Sequence, residues 1–286
     1  MLFKLKLIHP KLTKRHLIIV YGAIVLHIGF VPYTIAQCIV GHISSFQPGE
    51  KIKFKAYYHL LWDTYAADVQ FSVNKEVYGD EPAYFFKATG NTVKKFDWIF
   101  KVYDDLQACA SMQTLNPFWA KRETSEGDYF ARENYRFLPS GMKIYSEVQN
   151  SSHPSLRDSL NVSGCAFDVL TLVYYCRTLD FSKYKKNDKI PVNIIVDGSL
   201  YHIYIRYCKK VVVKNRIDDK KYKCIELSVL CIQGSIFDSG ENLKIWVTDD
   251  ENKIPVKIQA DIQVGTIFGY ISAMEGLKNH VNALVN

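Results

Sequence analysis

KIPVNIIVDGSLYHIYIRY, at residues 189–207, is the stretch that decides the fold class of this chain. Apolar side chains stand at every second position from Ile190 to Val196, which is the period of a β-strand with one buried face. Asp197-Gly198 follows, and Asp-Gly between two strand-like runs predicts a tight hairpin turn. Residues 201–207 then repeat the strand pattern, so the stretch predicts two antiparallel strands.

The same alternation extends outward in both directions, across residues 50–149 and 209–271. Turn sequences such as Gly79-Asp80, Asn116-Pro117 and the acidic run 249–252 (DDEN) separate one strand-like run from the next. The chain is also rich in Tyr and Phe, with 19 and 16 residues, and both types favour strands. We therefore predict a mainly β fold of about a dozen strands, arranged as a curved, largely antiparallel sheet or a half-open barrel.

Residues 167–179 have the pattern of a helix instead of a strand. Apolar residues recur there at the spacing of one helix face: Val169, Leu172, Val173, Cys176 and Leu179. Ser163 is the predicted N-cap, a shorter second helix is predicted at residues 92–101, and the polar stretch 150–162 is predicted to be a loop. Because a curled sheet buries its apolar face against a helix, we expect the sheet to wrap around the 167–179 helix as a central element.

The first 36 residues have the composition of an export signal. They contain Lys4, Lys6, Lys11, Lys14 and Arg15 but no Asp or Glu, and the apolar run 17–31 (LIIVYGAIVLHIGFV) follows. Thr34 and Ala36 place small residues where a signal peptidase cleaves. We predict a signal peptide at residues 1–36, cleavage after Ala36, and a single exported β-rich domain at residues 37–286, periplasmic or associated with the outer membrane. Two alternatives stay open: a retained anchor, and a lipoprotein joined through Cys38, since residues 35–38 (IAQC) resemble a lipobox.

The charge of the chain argues against a nucleic-acid partner. The formal net charge is +7, but without the five basic residues of the predicted signal it falls to +2, with 31 basic against 29 acidic residues. So small an excess provides little attraction for a polyanion. The basic runs 183–186 and 220–223 are predicted to be solvated loops, with a weak contact to an anionic membrane surface as the alternative.

The side chains that could perform chemistry are scattered. The seven cysteines are odd in number and include no Cys-x-x-Cys pair, which argues against a disulfide framework and a zinc site, although one bridge between some two of them stays open. The histidines that follow residue 36 have no neighbour at metal-ligand spacing: His42, His59, His153, His202 and His280. The run 249–252 is interpreted as a hairpin turn rather than a calcium loop. We therefore predict no catalytic residue, no metal and no cofactor.

Several segments together resemble a known family. They are residues 46–50 (FQPGE), 168–170 (DVL), 174–177 (YYCR), 234–237 (GSIF), 245–256 (IWVTDDENKIPV) and 264–267 (VGTI). The chain resembles the uncharacterised exported bacterial family called domain of unknown function 3108, in the form common in Bacteroidetes-type bacteria. Ala67 departs from the glycine that this family favours, which puts a strand bend there in doubt. The resemblance implies an exported β-rich protein with a fold similar to the curved sheet around a helix of bacterial lipoprotein-carrier proteins, and a fold alone does not give a function.

The function predicted from these features is that of a non-catalytic cell-envelope protein. A concave, mostly apolar sheet is a natural ligand site, so we expect it to hold a lipid or other hydrophobic ligand. Tyr174 and Trp246 are the candidate ligand-binding residues, because both stand in the family-like segments. Two alternatives stay open: an envelope hydrolase, because catalytic triads assemble from scattered residues, and a scaffold that binds an envelope protein partner without a pocket.

Overall fold

The computed structural model describes residues 43–97, 101–138, 143–151, 153–232 and 239–285. Its strands are β1 (Lys51–His59), β2 (Asp63–Tyr78), β3 (Glu81–Thr92), β4 (Val102–Ser111), β5 (Pro117–Glu126), β6 (Tyr129–Phe137), β7 (Lys143–Asn150), β8 (His153–Asn161), β9 (Ala166–Phe167), β10 (Lys189–Val196), β11 (Ser199–Lys214), β12 (Lys221–Cys231), β13 (Gly240–Thr248), β14 (Pro255–Asp261), β15 (Thr266–Glu275) and β16 (Leu284–Val285). One helix, α1, spans Val169–Cys176, and a single 3-10 turn spans Phe181–Lys183. The predicted signal peptide and Cys38 lie outside the described residues.

All the strands belong to one curved sheet that does not close. Strands β1 to β8 form a meander in which each pairs with the next, and β10 to β15 form a second meander. The antiparallel pairing of β1 with β15 joins the two, so that β8 and β9 stand at opposite ends of the strand order. All pairs are antiparallel except the short pair of β9 with β10. The predicted fold class is confirmed.

The hairpin at the centre of the sequence pattern forms as predicted. Strand β10 pairs with β11 from Lys189 opposite Arg206 to Val196 opposite Ser199. Asp197 and Gly198 both have positive φ, at 49° and 72°, which is the backbone of a type I′ turn. The tip of this hairpin contacts the other half of the sheet, because the backbone N–H of Gly198 donates to the Tyr135 hydroxyl of β6 at 2.9 Å.

Helix α1 lies on the concave side of the sheet, against β3, β4, β9 and β10. It begins later than predicted, and its N-cap is Asp168 rather than Ser163. The Oδ1 atom of Asp168 accepts hydrogen bonds from the backbone N–H groups of Leu170 at 2.9 Å and Thr171 at 3.0 Å. The prediction of Ser163 was wrong because the two-residue strand β9 stands between Ser163 and the helix, and so short a strand has no detectable periodicity.

Two further predictions of local structure were wrong. Residues 150–162 are not a loop, since most of them form β8, which pairs with β7 along its length. Strand β8 is polar because it is the last strand in the sheet order, and residues 154–158 are all exposed. The second helix, at 92–101, is absent from the described part of that segment: Thr92 ends β3 and residues 94–97 form turns, while 98–100 lie outside the described residues.

The core is divided into three clusters. The first lies between the β1–β8 half and α1, where the Phe86 and Tyr174 rings stack at a centroid distance of 4.0 Å. The second lies between α1 and β10–β13 and contains Leu172, Ile203 and Leu227. In the third cluster, the part of the β11–β12 hairpin nearest its turn packs against β1, β14 and β15. Helix α1 is therefore shared between the first two clusters, and its two sides meet different surroundings.

Candidate functional site

A cavity of about 440 Å³ lies between α1 and strands β10 to β13. The sheet contributes mostly branched apolar side chains to its wall, among them Ile194, Ile203, Leu227, Ile245 and Val247. These residues alternate along their strands with residues on the other face, so the cavity wall is the concave face of the sheet. Its volume falls in the range of about 300–1,000 Å³ that is usual for small-molecule sites.

The helix side of this cavity is the apolar stripe that the sequence predicts. Val169, Leu172, Val173 and Cys176 all line the cavity. Leu170, Thr171 and Tyr174 are buried on the helix, and Leu170 and Tyr174 belong to the first core cluster. The most apolar stripe of α1 thus borders unfilled space, and the fifth predicted member, Leu179, lies beyond the end of the helix.

One end of the cavity is polar and is lined by Asp104, Arg122, Glu126 and Asp197. Arg122 is already paired, because its Nη1 donates to Glu133 Oε1 at 2.6 Å and lies 3.5 Å from Asp197 Oδ1. The Thr124 hydroxyl donates to Asp104 Oδ1. Burial raises the pKa of both the Asp104 and the Glu126 carboxyl, and the proximity of the two carboxyls raises that of Glu126 further. The site is thus an apolar chamber with a predominantly acidic end.

The cysteines of the described part differ in state. Cys165 is disulfide-bonded, whereas Cys109, Cys176, Cys208, Cys224 and Cys231 are free. Cys176 and Cys231 line the cavity. Burial raises the pKa of the Cys176 thiol to about 12, which keeps it protonated and a poor nucleophile at neutral pH. The cavity thiols therefore contribute apolar surface rather than reactivity.

Neither predicted ligand-binding residue lines the cavity. Tyr174 is packed on the other side of α1, with its ring against Phe86, and burial raises the pKa of its hydroxyl. Trp246 points away from Ile245 and the cavity, because adjacent residues of β13 face opposite sides of the sheet. Its Nε1 donates to Glu226 Oε2 at 3.2 Å, and the Lys257 ammonium lies 4.6 Å from its ring centroid.

The periodicity of the sequence could have identified some of the residues that line the cavity. The helix stripe was identified, but only as a surface for packing. The odd-numbered positions 243, 245 and 247 of β13 line the cavity, and they alternate with the even-numbered Trp246 that the family-like segment drew attention to. The two-residue period of a strand therefore already distinguishes the face of β13 that lines the cavity from the face that carries Trp246.

The predicted turn and histidines have local partners. Asp250 Oδ1 accepts from the Thr248 hydroxyl at 2.7 Å and from the backbone N–H of Asn252 at 3.1 Å, as expected of a hairpin turn. His59 Nδ1 lies 2.6 Å from Asp63, and His202 Nδ1 lies 2.6 Å from Asn193. Among the residues that the structure describes, no group of three or more His, Cys, Asp or Glu side chains is arranged to hold a metal ion.

The β1–β2 turn presents an exposed apolar tip. Leu60, Leu61 and Trp62 are 53%, 78% and 71% exposed, and Val264 of the neighbouring β14–β15 turn is 61% exposed. The two turns lie side by side, because β1 pairs with both β2 and β15 and the Tyr58 hydroxyl donates to the Val264 carbonyl at 3.1 Å. We call residues 60–62 with Val264 the apolar tip.

Within the described ranges, no helix is both long enough and apolar enough to cross a bilayer.

Three of the family-like segments meet at one buried arginine. Arg177, at the end of α1, donates through Nη1 and Nη2 to the two carboxylate oxygens of Glu50 at 2.5 and 2.9 Å. Its Nε donates to the Asn252 carbonyl at 3.0 Å, and Nη2 also donates to the Ser45 carbonyl at 2.9 Å. The segments 46–50, 174–177 and 245–256 are thus held together by one side chain.

Comparison with known proteins gives a family and similar solved structures. The crystal structure titled "Beta-barrel-like Protein of Domain of Unknown Function DUF1849 from Brucella abortus" is similar with a TM-score of 0.45 and 9% identity, over 79% of this chain and 96% of that chain. No curated protein matches the sequence. The profile of the family described as "Protein of unknown function (DUF3108)" matches residues 53–272. Since that match covers most of the sequence, the chain belongs to the DUF3108 family of proteins of unknown function.

Proposed function

We propose that this protein is a non-catalytic cell-envelope protein that holds an apolar or amphipathic ligand in the cavity between α1 and β10–β13. The observation that carries the proposal is the apolar stripe of α1. An amphipathic helix normally buries such a stripe against other side chains. Here Val169, Leu172, Val173 and Cys176 border a cavity of about 440 Å³, although Leu172 also packs in the second core cluster, and an apolar ligand would add packing contacts along this stripe.

The character of the cavity wall supports binding rather than catalysis. Its thiols have raised pKa values, and the described histidines with a hydrogen-bonded ring nitrogen, His59, His202 and His280, pair with Asp63, Asn193 and Asn282. A general base must reach the proton that it removes, and none of these histidines lines the cavity. The alternative of an envelope hydrolase predicts ester cleavage by the purified protein, and a panel of fluorogenic esters tests it.

Two features support export. The basic and apolar composition of residues 1–36 is that of a signal peptide. Cys165 is disulfide-bonded, and structural disulfides persist in oxidising compartments such as the bacterial periplasm. Mass spectrometry of the protein isolated from its own envelope tests the cleavage site: a mature chain that begins at Gln37 supports cleavage after Ala36, and a retained leader or a lipid on Cys38 contradicts it.

The ligand proposal is tested by filling the cavity. Ile245→Trp places a large ring in the chamber and should abolish the fluorescence enhancement of N-phenyl-1-naphthylamine, an apolar probe. Lys244→Trp is the matched control, because it adds the same ring on the opposite face of β13. Native mass spectrometry of wild-type protein purified from its own envelope should show a bound apolar molecule that the Ile245→Trp variant lacks. If wild-type protein binds neither the probe nor a native ligand, the proposal is wrong.

A second candidate, contact with an anionic lipid surface, is favoured by the apolar tip. Exposed Trp and Leu side chains on a turn suit the boundary between headgroups and acyl chains. Lys94 and Lys95 are exposed in the adjacent turn, which lies beside the tip because the Phe96 and Tyr58 rings are 5.9 Å apart. Flotation with phosphatidylglycerol vesicles tests this role. Leu61→Ser with Trp62→Ser should abolish co-flotation, whereas Val212→Ser, at a site 54% exposed elsewhere in the sheet, should not.

A further inference from the structure

We infer that the ligand carries a cationic or hydrogen-bond-donating head, such as a primary amine on an apolar chain, and that Glu126 and Asp104 receive this head. This inference rests on the proposed function, because it concerns the same cavity. It is carried by the asymmetry of the wall, which is apolar along α1 and β10–β13 and acidic where β4 and β5 meet the β10–β11 turn. A ligand that spans the chamber must present an apolar body to one part and a polar group to the other.

Glu126 is a buried carboxyl that shares its hydroxyl neighbour, Thr124, with Asp104. It is only 9% exposed and lines the cavity. Its nearest hydroxyl is that of Thr124, but a hydroxyl carries one proton, and the Thr124 hydroxyl donates it to Asp104. One hydroxyl proton therefore serves two buried carboxyls, and at least one of them is left short of a donor. A buried acceptor without a donor is costly, and a donor from a ligand head would remove that cost.

The charges around the acidic end of the cavity favour a ligand whose head is positively charged. Four carboxyl groups, those of Asp104, Glu126, Glu133 and Asp197, surround the single guanidinium of Arg122, which interacts with each of them. Nη1 of this guanidinium is held by Glu133 at 2.6 Å, and its positive charge is shared among four carboxyl groups. An anionic head would enter a field that is already negative, whereas an ammonium would be attracted.

The ionisation of Glu126 gives this binding a characteristic pH dependence. Burial and the nearby Asp104 raise its pKa, while Arg122 opposes the rise, and Asp197 adds to it. An ammonium held against the carboxyl would lower that pKa, so amine binding is linked to loss of a proton. The affinity for an amine should therefore increase as the pH rises through the raised pKa values of Glu126 and Asp104. Glu133 and Tyr129 face the same group and their pKa values are raised as well.

The experiment compares three ligands that share a chain and differ only in the head: dodecylamine, 1-dodecanol and dodecanoate. Each is titrated against the full-length exported protein with N-phenyl-1-naphthylamine as the displaced probe. We expect dodecylamine to bind about tenfold more tightly than dodecanoate, since a close charge pair in a partly buried site is worth more than about 1.4 kcal/mol. Glu126→Gln keeps the shape and should reduce dodecylamine affinity about tenfold, while 1-dodecanol affinity stays within about twofold.

A matched control and the possible outcomes distinguish failure of this inference from failure of the proposed function. Glu123→Gln removes a charge from the same strand at a side chain that is 61% exposed, and it should leave all three affinities unchanged. Binding of the probe to Glu126→Gln shows that the variant is folded. Equal affinities for the three ligands, or tightest binding of dodecanoate, would overturn the inference and leave the proposed function standing. Failure of the wild-type protein to bind the probe and all three ligands would overturn the proposed function itself.

Discussion

Arg177 and Glu50 are 127 positions apart in the chain and form a bidentate ion pair in the interior, with side chains only 3% and 1% exposed. Two further guanidinium donors bond the Ser45 and Asn252 carbonyls. The pair therefore fixes the end of α1, the entry to β1 and the β13–β14 turn relative to one another. Because this end of α1 also contributes Cys176 and Arg177 to the cavity wall, the pair helps to position that part of the wall.

Removing one member of this pair should be much more damaging than removing both. Glu50→Gln leaves a buried guanidinium without a counter-charge and should lower the free energy of unfolding by about 3–5 kcal/mol. Glu50→Gln combined with Arg177→Met removes the charge itself and should recover part of that loss. Urea denaturation of Glu50→Gln, Arg177→Met and the double variant measures the difference.

The exposed pair Arg157–Glu147, with side chains 81% and 40% exposed, provides the control for this experiment. Glu147→Gln should cost less than about 1 kcal/mol, as is usual for a surface pair. A double variant as unstable as the sum of its single changes would show that the two side chains do not act as a pair.

Two leucines on α1 should differ in their contribution to stability. Leu170 is tightly packed in the first core cluster, whereas Leu172 borders the cavity. We expect Leu170→Ala to cost an amount near the upper end of the range of about 2–5 kcal/mol for a buried leucine, and Leu172→Ala an amount near its lower end, because part of its surface already faces empty space. Chemical denaturation gives both values. Equal costs would indicate that the cavity is filled by side chains in solution.

Asp168 should make stability depend on pH. Its Oδ1 caps α1, its Oδ2 is buried without a hydrogen-bond partner, and burial raises its pKa above the ordinary value of 3.8. The folded protein then holds this proton more tightly than the unfolded chain, so the contribution of Asp168 is fully present below pH 3.8 and is lost as the pH rises through the raised pKa.

Asp168→Asn keeps an N-cap acceptor and removes this titration. Free energies of unfolding of the two proteins are measured from pH 4 to 8. As the pH rises through the titration range, the value for the variant should increase relative to the wild type by up to about 1.4 kcal/mol per pH unit. The same difference at every pH would mean that Asp168 titrates normally in the folded protein.

The disulfide at Cys165 should contribute to stability under oxidising conditions. Cys165 precedes β9 and α1, and its backbone carbonyl accepts from the Asn193 amide at 2.8 Å. Cys165→Ser should lower the free energy of unfolding by about 2–4 kcal/mol, mainly by releasing the unfolded chain. Cys208→Ser changes a free thiol and is the control. If dithiothreitol destabilises Cys165→Ser as much as it destabilises the wild type, the contribution belongs to another bond.

The sequence predicts the features of this fold that depend on local periodicity and turn chemistry. The hairpin around Asp197-Gly198 follows from a period of two residues and a turn that needs positive φ, and both are properties of neighbouring residues. The α1 stripe is predicted for the same reason, with four of its five members lining the cavity. The surface that the α1 stripe faces is not predicted, because its position depends on how strongly the sheet curves.

The errors occur where long-range pairing overrides local pattern. Residues 153–161 look like a loop, yet they are a strand because β7 offers them an open edge. Tyr174 and Trp246 were chosen from family-like segments and stay predictions, although neither lines the cavity. Those segments make structural contacts, since Arg177 and Asn252 in the same segments bond each other. Glu126 and Asp104 line the cavity but were not singled out from the sequence. The β4–β5 pairing brings them together on one face, and that face becomes part of a cavity only through the placement of α1 and the β10–β11 turn.

The pairing of β1 with β15 sets an order on folding. Strands β2 to β8 find their partners among sequence neighbours, so each hairpin can form as soon as it is available. The other edge of β1 has no partner until residues 266–275 arrive, and Lys51 must then meet Glu275. During that interval the β1 edge presents unpaired backbone groups that would accept a strand from any other chain. A chain that becomes available from its N-terminus onward would depend on rapid delivery of its last strands to avoid aggregation.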